Sequence, residues 1–398
     1  MKILMITPYL PYPLLSGGQI RSYNLLKHLA KKHEITLVSF IRQKTETESI
    51  EKLKGFCQDV KVVLRRKAWS PVNILLSSFS HLPFLVAIYY SPQAKKIISN
   101  LLEKEKFDLI HAETFYVMPN IPKTSVPIIL VEQTVEYLVY DHFVQTLRFS
   151  PAKIFLSYDV LKIKFWERHF WQKAKKVVAM SESDKQVMKA QVTKLDVDIA
   201  PNGVDSQFFA QTKRKKTKQP TVLFVGNFRW LQNREAVEFL VSKVWPQIIQ
   251  ILPKAKLWIV GRNPTDSVHK LAKDNQIIVD DKVGDIRQAY ASADVMLAPI
   301  FGPGGTRFKI LEAMASGLPV VTTTTGIEGV PAFDKKEVII ADDAQRLAKS
   351  TTELLSDRQL SQTLAANAKK LIAKHFDWSE ISQRLDQIYR EVSIGKAD

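Results

Sequence analysis

Two dense apolar runs constrain this chain most: Lys2–Thr7 (KILMIT) and Thr221–Gly226 (TVLFVG), each ending in a turn that opens onto a helical pattern. An apolar run without polar alternation reads as a strand covered on both faces, which is the environment of a parallel sheet between two layers of helices. After the first run, Gly17-Gly18 leads into a segment whose Ile20, Leu25 and Leu29 share one helix face, followed by a second strand pattern over Glu34–Phe40. After the second run come a helix pattern over Asn233–Val244 and a strand pattern over Lys256–Gly261. Strand and helix alternating in this way predict an α/β protein whose architecture occurs twice.

A length of 398 residues suits two domains. The turn Pro201-Asn202-Gly203-Val204-Asp205 and the polar, basic run Gln211–Pro220 mark the boundary, giving domains over 1–205 and 206–378. A last helical pattern over Trp378–Val392 has no strand after it.

Apolar residues at 45% and charged residues at 24% describe a chain that can build a core without staples. The single cysteine, Cys57, has no internal partner, which points to a reducing compartment. The opening apolar run is too short for a signal-peptide core. The longest uncharged stretch, between Lys67 and Lys95, is interrupted by Pro71, Asn73 and Pro83 and spans a membrane poorly. A cytoplasmic protein is expected. The formal net charge of +17, with a basic cluster over Lys213–Lys218, suits anionic lipid, polyphosphate or nucleic acid and does not choose among them.

Two stretches of the first domain, Trp69–Leu102 and Phe143–Val178, are rich in leucine and aromatics and interspersed with Lys and Arg. They read as helices covering the first sheet with one face buried. The sharper reading is a surface that rests on an anionic membrane, placing the protein peripherally at the inner membrane face.

The chemistry concentrates at Pro299–Val320. A strand pattern ends in a loop holding Gly302, Pro303, Gly304 and Gly305, and a helix follows from Thr306 or Arg307 to Ser316, stopped by Gly317. Glycines at a helix N-terminus let backbone N–H groups approach a phosphate, and the helix dipole favours its charge. Arg307 and Lys309, read as first-turn residues, add positive charge for a diphosphate, and Glu312 shares their face as an acceptor for ribose hydroxyls. Phosphate donors followed by a ribose acceptor make a nucleoside diphosphate site.

The segment GGTRFKILEAMASGLPVV (304–321) resembles the donor-site signature of the retaining glycosyltransferase family 4, in its Gly-Gly-Thr-Arg-x-Lys form. Further matches are Ser16-Gly17-Gly18, the 201–205 turn, Phe224–Phe228 containing Gly226, and Gly284–Arg287 with Ala293-Asp294. The resemblance implies a GT-B fold, two Rossmann-like parallel-sheet domains facing across a cleft, with the final helix (379–398) packing back on the first. It implies retaining, metal-independent transfer of a sugar from a nucleotide-diphosphate sugar, a co-substrate rather than a cofactor, to a polysaccharide or lipid-linked acceptor. Donor contacts then fall on Gly17, Gly18, Gly226, Arg229, Gly304, Gly305, Thr306, Arg307, Lys309 and Glu312. The chain departs from the family at Gly304, where a glutamate is usual, at Asn227, where an arginine is expected, and at Gln133, which stands where a histidine often lies. Gln133 can hydrogen-bond a sugar hydroxyl but cannot act as a base. Arg307, Lys309 and Gln133 are the catalytic candidates.

His111 and Glu113, placed just after a strand over Phe107–Ile110, are candidates for lining the acceptor side, since open α/β sheets carry their sites at strand carboxyl ends. Asp196-Val197-Asp198 has the spacing of a metal-binding Asp pair, but an outward-facing short strand accounts for it more simply. No metal site and no nucleic-acid partner are expected. The alternatives are a nucleotide-sugar epimerase of the same fold and a non-catalytic nucleotide- or nucleic-acid-binding relative.

Overall fold

The computed structural model describes residues 1–215, 217–272 and 275–394, so Lys216 of the basic cluster and residues 395–398 of the final segment lie outside the described residues. Two compact units emerge. One comprises Met1–Pro201 together with the segment from Ile381; the other is Asn202–Glu380.

The first unit is built on seven strands: β1 (Lys2–Thr7), β2 (Glu34–Ile41), β3 (Asp59–Leu64), β4 (Leu109–Glu113), β5 (Ile128–Val131), β6 (Lys176–Ala179) and β7 (Val197–Ile199). They lie in the order β3-β2-β1-β4-β5-β6-β7 with every pairing parallel. Ile3 pairs with Ile35 on one side and Leu109 on the other, so β1 is central and its Ile3, Leu4, Met5 and Ile6 are fully buried. That is why its sequence is almost uninterrupted hydrocarbon. The helix Gly17–Leu29 begins one residue after Ser16, whose side chain accepts from the Gln19 N–H, a hydroxyl cap that satisfies a first-turn donor.

The second unit holds six strands: β8 (Thr221–Asn227), β9 (Lys256–Arg262), β10 (Ile277–Asp280), β11 (Val295–Ala298), β12 (Val320–Thr322) and β13 (Ile339–Ile340). Their order is β10-β9-β8-β11-β12-β13, again all parallel. β8 is central, and Val222, Leu223 and Phe224 are buried in a core with Trp245, Ile259 and Leu297. Both sheets therefore reverse strand order beside their first strand, between β1 and β4 and between β8 and β11. Loops leaving the carboxyl ends of those strands diverge there and leave room for a ligand.

The helix Trp378–Ile394 starts in the second unit, and its residues from Ile381 group with the first. Tyr389 and Leu385 of this helix are fully buried. Asp386 accepts from His33 Nε2 at 2.9 Å and from Lys32 at 3.1 Å.

Candidate active site

In the second unit the switch point carries the glycine turn. β11 ends at Ala298, and the chain passes through Gly302–Thr306 before the helix Phe308–Ala315. Gly304 (φ +142°) and Gly305 (φ +58°) adopt backbone angles that side chains resist, which turns the chain sharply at the helix entrance. The helix starts later than its sequence suggests. Arg307 is the N-cap, not a first-turn residue, and its guanidinium folds back to donate to the carbonyls of Gly304 (2.9 Å) and Gly302 (2.6 Å). A fork of five donors is well matched to several converging carbonyls, and here it laces the turn together.

Lys309 does stand in the first turn. Its Nζ is 2.5 Å from Asn233 Oδ1 and 4.8 Å from the centre of the Phe224 ring. Burial, helped by the Arg307 charge, pulls its pKa down to about 7. One turn on, Glu312 accepts from the Tyr290 hydroxyl at 2.8 Å, and burial raises its carboxyl to about 7. Three residues apart on one helix, Lys309 Nζ bonds Asn233 and the Glu312 carboxyl bonds Tyr290, and an amine with three donor positions and a carboxyl with two oxygens keep capacity for a ligand. Asn202 donates to the Thr306 carbonyl at 3.0 Å, tying the 202–205 turn to the glycine loop. The contacts of Asn202, Asn233 and Tyr290 with the glycine loop and its helix are not legible in sequence, because single polar residues in a turn or helix carry no periodic signal. Gly226 is the penultimate residue of β8, and Arg229, two residues past the end of the strand, is exposed.

In the first unit the loops after β1 and β5 meet. An added Cβ on Gly18 would fall 1.9 Å from the Tyr9 hydroxyl, so only glycine fits beside it; Gly17 begins the helix. Gln133, just past β5, donates to the Tyr9 hydroxyl and to Glu113 Oε2 (3.0 Å). Ser22 donates to the same Glu113 oxygen, and His111 Nδ1 bonds the Tyr389 hydroxyl. His111 and Glu113 are not in a loop after the strand: both belong to β4 and are fully buried. Burial works against the Glu113 charge, yet His111, Arg21 and Ser22 outweigh it and hold the carboxyl below its ordinary range. Arg21 donates to the carbonyls of Pro201 (2.7 Å) and Ala200 (2.9 Å). Asp196 and Asp198 are both drawn to Lys176, at 3.5 and 2.7 Å.

Comparison with known proteins matches this two-part layout. Residues 15–208 fit the model described as Glycosyltransferase Family 4, and residues 219–357 fit that described as Glycosyl transferases group 1. The chain is a glycosyltransferase of the GT-B type. It is similar to the phosphatidyl-myo-inositol mannosyltransferase of Mycolicibacterium smegmatis, at 26% identity with 76% of each chain covered. Among solved structures it resembles sucrose-phosphate synthase from Thermosynechococcus elongatus, with a TM-score of 0.72 at 17% identity over 99% of this chain and 100% of the other. It also resembles Anabaena Alr3699/HepE in complex with UDP-glucose, with a TM-score of 0.67 at 16% identity over 98% and 100%.

Proposed function

We propose that the second domain binds a nucleoside diphosphate sugar at Gly304–Glu312 and that the sugar passes, with retained anomeric configuration and without a metal, to an acceptor held by the first domain. The observation that carries this reading is the adjacency of Lys309 and Glu312 behind a positive-φ glycine turn at a helix N-terminus. Backbone N–H groups of Gly305 and Thr306 and the Lys309 ammonium would take the diphosphate, and Glu312 the ribose hydroxyls. Breaking the sugar–phosphate bond leaves negative charge on the departing diphosphate, and those same positioned groups stabilise it. Arg307 contributes by holding the turn that aims the N–H groups.

On the first domain, Gln133 is fixed by Tyr9 and Glu113 and orients a sugar hydroxyl. Gln133 itself cannot serve as a base, and the leaving phosphate takes the acceptor proton on the face it departs from. The UDP-glucose complex of the Anabaena relative supports a nucleotide-sugar donor. The name of the mycobacterial mannosyltransferase supports a lipid-linked acceptor, which together with polysaccharide is the acceptor class proposed, met at the cytosolic face of a membrane.

The test is a thermal-shift screen against UDP-, GDP-, ADP- and TDP-linked sugars. One series should stabilise the protein, and Lys309→Ala and Glu312→Ala should each weaken that stabilisation. An unchanged response in both variants would sink the site assignment.

A further inference from the structure

The helix Pro151–Lys173 is apolar on two faces. Val160, Ile163, Phe170 and Trp171 point into the first core. Ile154, Tyr158, Leu161 and Phe165, spaced to share a second face, point to solvent, with Leu161 63% exposed; Phe155 beside them is 74% exposed. A surface helix ordinarily turns polar residues outward.

This face does not stand alone. The helix Pro71–Phe79 buries only Asn73 and exposes Leu75 and Phe79, the latter by 86%. The end of this helix and the segment after it are tied to Pro151–Lys173: Lys162 donates to the carbonyls of Ser77 (2.5 Å) and Leu82 (3.0 Å), and Trp166 Nε1 to that of His81 (2.9 Å). The exposed apolar side chains of both helices therefore lie in one region of the first unit, a concentration unlike singly scattered surface apolar residues.

The exposed charges carried by the two segments themselves are basic. Residues 65–84 include no acidic side chain, and residues 142–173 include two, Asp159 and Glu167. Both are turned inward. Asp159 accepts from the Phe84 N–H at 3.0 Å, and Glu167 is buried, accepting from the N–H groups of Glu136 (2.7 Å) and Tyr137 (3.0 Å). Lys67, Arg148, Arg168 and Lys173 remain exposed. Protein partners meet such patches with mixed charge and deplete lysine. Apolar side chains flanked by exposed cations fit the boundary of an anionic bilayer, where hydrocarbon enters the acyl region and the cations meet lipid phosphates. No described helix is long and apolar enough to cross a membrane, so the contact is interfacial.

We infer that the first domain docks on anionic membrane through the joined outer faces of the helices Pro71–Phe79 and Pro151–Lys173. This deepens the acceptor reading and rests on it only for the biological setting; lipid binding and nucleotide binding fail separately. The full chain is sedimented with vesicles of phosphatidylcholine and of phosphatidylcholine mixed with phosphatidylglycerol at low salt. Binding to the anionic vesicles is expected to exceed binding to neutral ones by tenfold or more and to fall with salt. Arg148→Gln with Arg168→Gln should weaken it roughly thirtyfold. Phe155→Ser, Leu161→Ser and Phe165→Ser together should weaken it on the order of a hundredfold, while the thermal shift with nucleotide sugar stays at the wild-type value. Wild-type protein that ignores anionic vesicles overturns the inference, and so does a triple variant that binds them normally. A wild-type dimer that the triple variant dissolves, with no vesicle binding by either, would instead make this a self-association face and also refute it.

Discussion

Lys309 Nζ sits 2.5 Å from Asn233 Oδ1, so the helix after β11 and the helix after β8 are linked by a side chain from each at the point where the strand order reverses. The link fixes a flexible four-carbon chain before any ligand arrives. Asn233→Ala should leave the fold intact and weaken donor binding by about fivefold, the effect of one hydrogen bond worth ~1 kcal/mol, measured by titration calorimetry. Unchanged affinity would mean that Asn233 does not position the lysine.

Lys309 and Glu312 are both brought to about 7, one from above and one from below. Above neutral pH, free Lys309 has lost its proton and must regain one to hold a diphosphate. Below it, Glu312 has gained a proton and must lose it to accept two hydroxyls. Donor affinity should therefore peak near neutrality, with proton uptake on binding at alkaline pH and release at acid pH. Calorimetry in buffers of different ionisation enthalpy checks this; a constant affinity from about pH 6 to about pH 8.5 would contradict it.

Arg307 serves the loop before it serves any ligand. Removing its guanidinium leaves the carbonyls of Gly302 and Gly304 without their shared donor. Arg307→Ala should cost about 1–2 kcal/mol of stability in denaturant unfolding and raise KM for the donor. Arg307→Lys should recover little of either, because an ammonium cannot reproduce the fork.

Gly18→Ala would drive a methyl group into the Tyr9 hydroxyl and displace the Gln133–Glu113 network. With the donor on the second domain as proposed, its binding should persist while turnover falls by roughly tenfold to a thousandfold, the cost of misplacing a positioning group. Nucleotide thermal shift read beside transfer activity separates the two; a parallel loss of both would place Gly18 in the donor site alone.

Glu136, the first residue of the helix Glu136–Thr146, has its carboxyl raised to about 7 by burial. A folded-state value above the unfolded one stabilises the fold fully below about pH 4, and that contribution is lost as pH rises through 7. Glu136→Gln should remove that loss, on the order of 3 kcal/mol between about pH 4 and about pH 8. Identical stability profiles for wild type and variant in urea would exclude it.

The central strands were legible because burial on both faces left hydrocarbon as the only option for Ile3–Ile6 and Val222–Phe224. Lys309 and Glu312 were legible because three-residue spacing on a helix fixes a shared face. Arg307 was not: a side chain that bonds carbonyls behind it shifts the helix start, and spacing carries no trace of that. His111 and Glu113 misled for a related reason. Polar residues normally end a buried strand, but here Ser22, Gln133 and Tyr389 satisfy them inside β4, from 91, 20 and 278 residues away, brought close only by folding. The outward apolar face of Pro151–Lys173 was ambiguous in sequence because hydrocarbon on both sides of a helix looks the same whether one side or both are covered.

The bond from His111 to Tyr389 has a consequence for how the chain is made. Its strand leaves the ribosome early, yet the hydroxyl that completes it follows the whole of the second unit, 278 residues later. At about 5–20 residues per second that is a wait of roughly 14–56 seconds. During translation the first domain must persist with β4 lacking its terminal helix, and the second domain can close first although it is synthesised later.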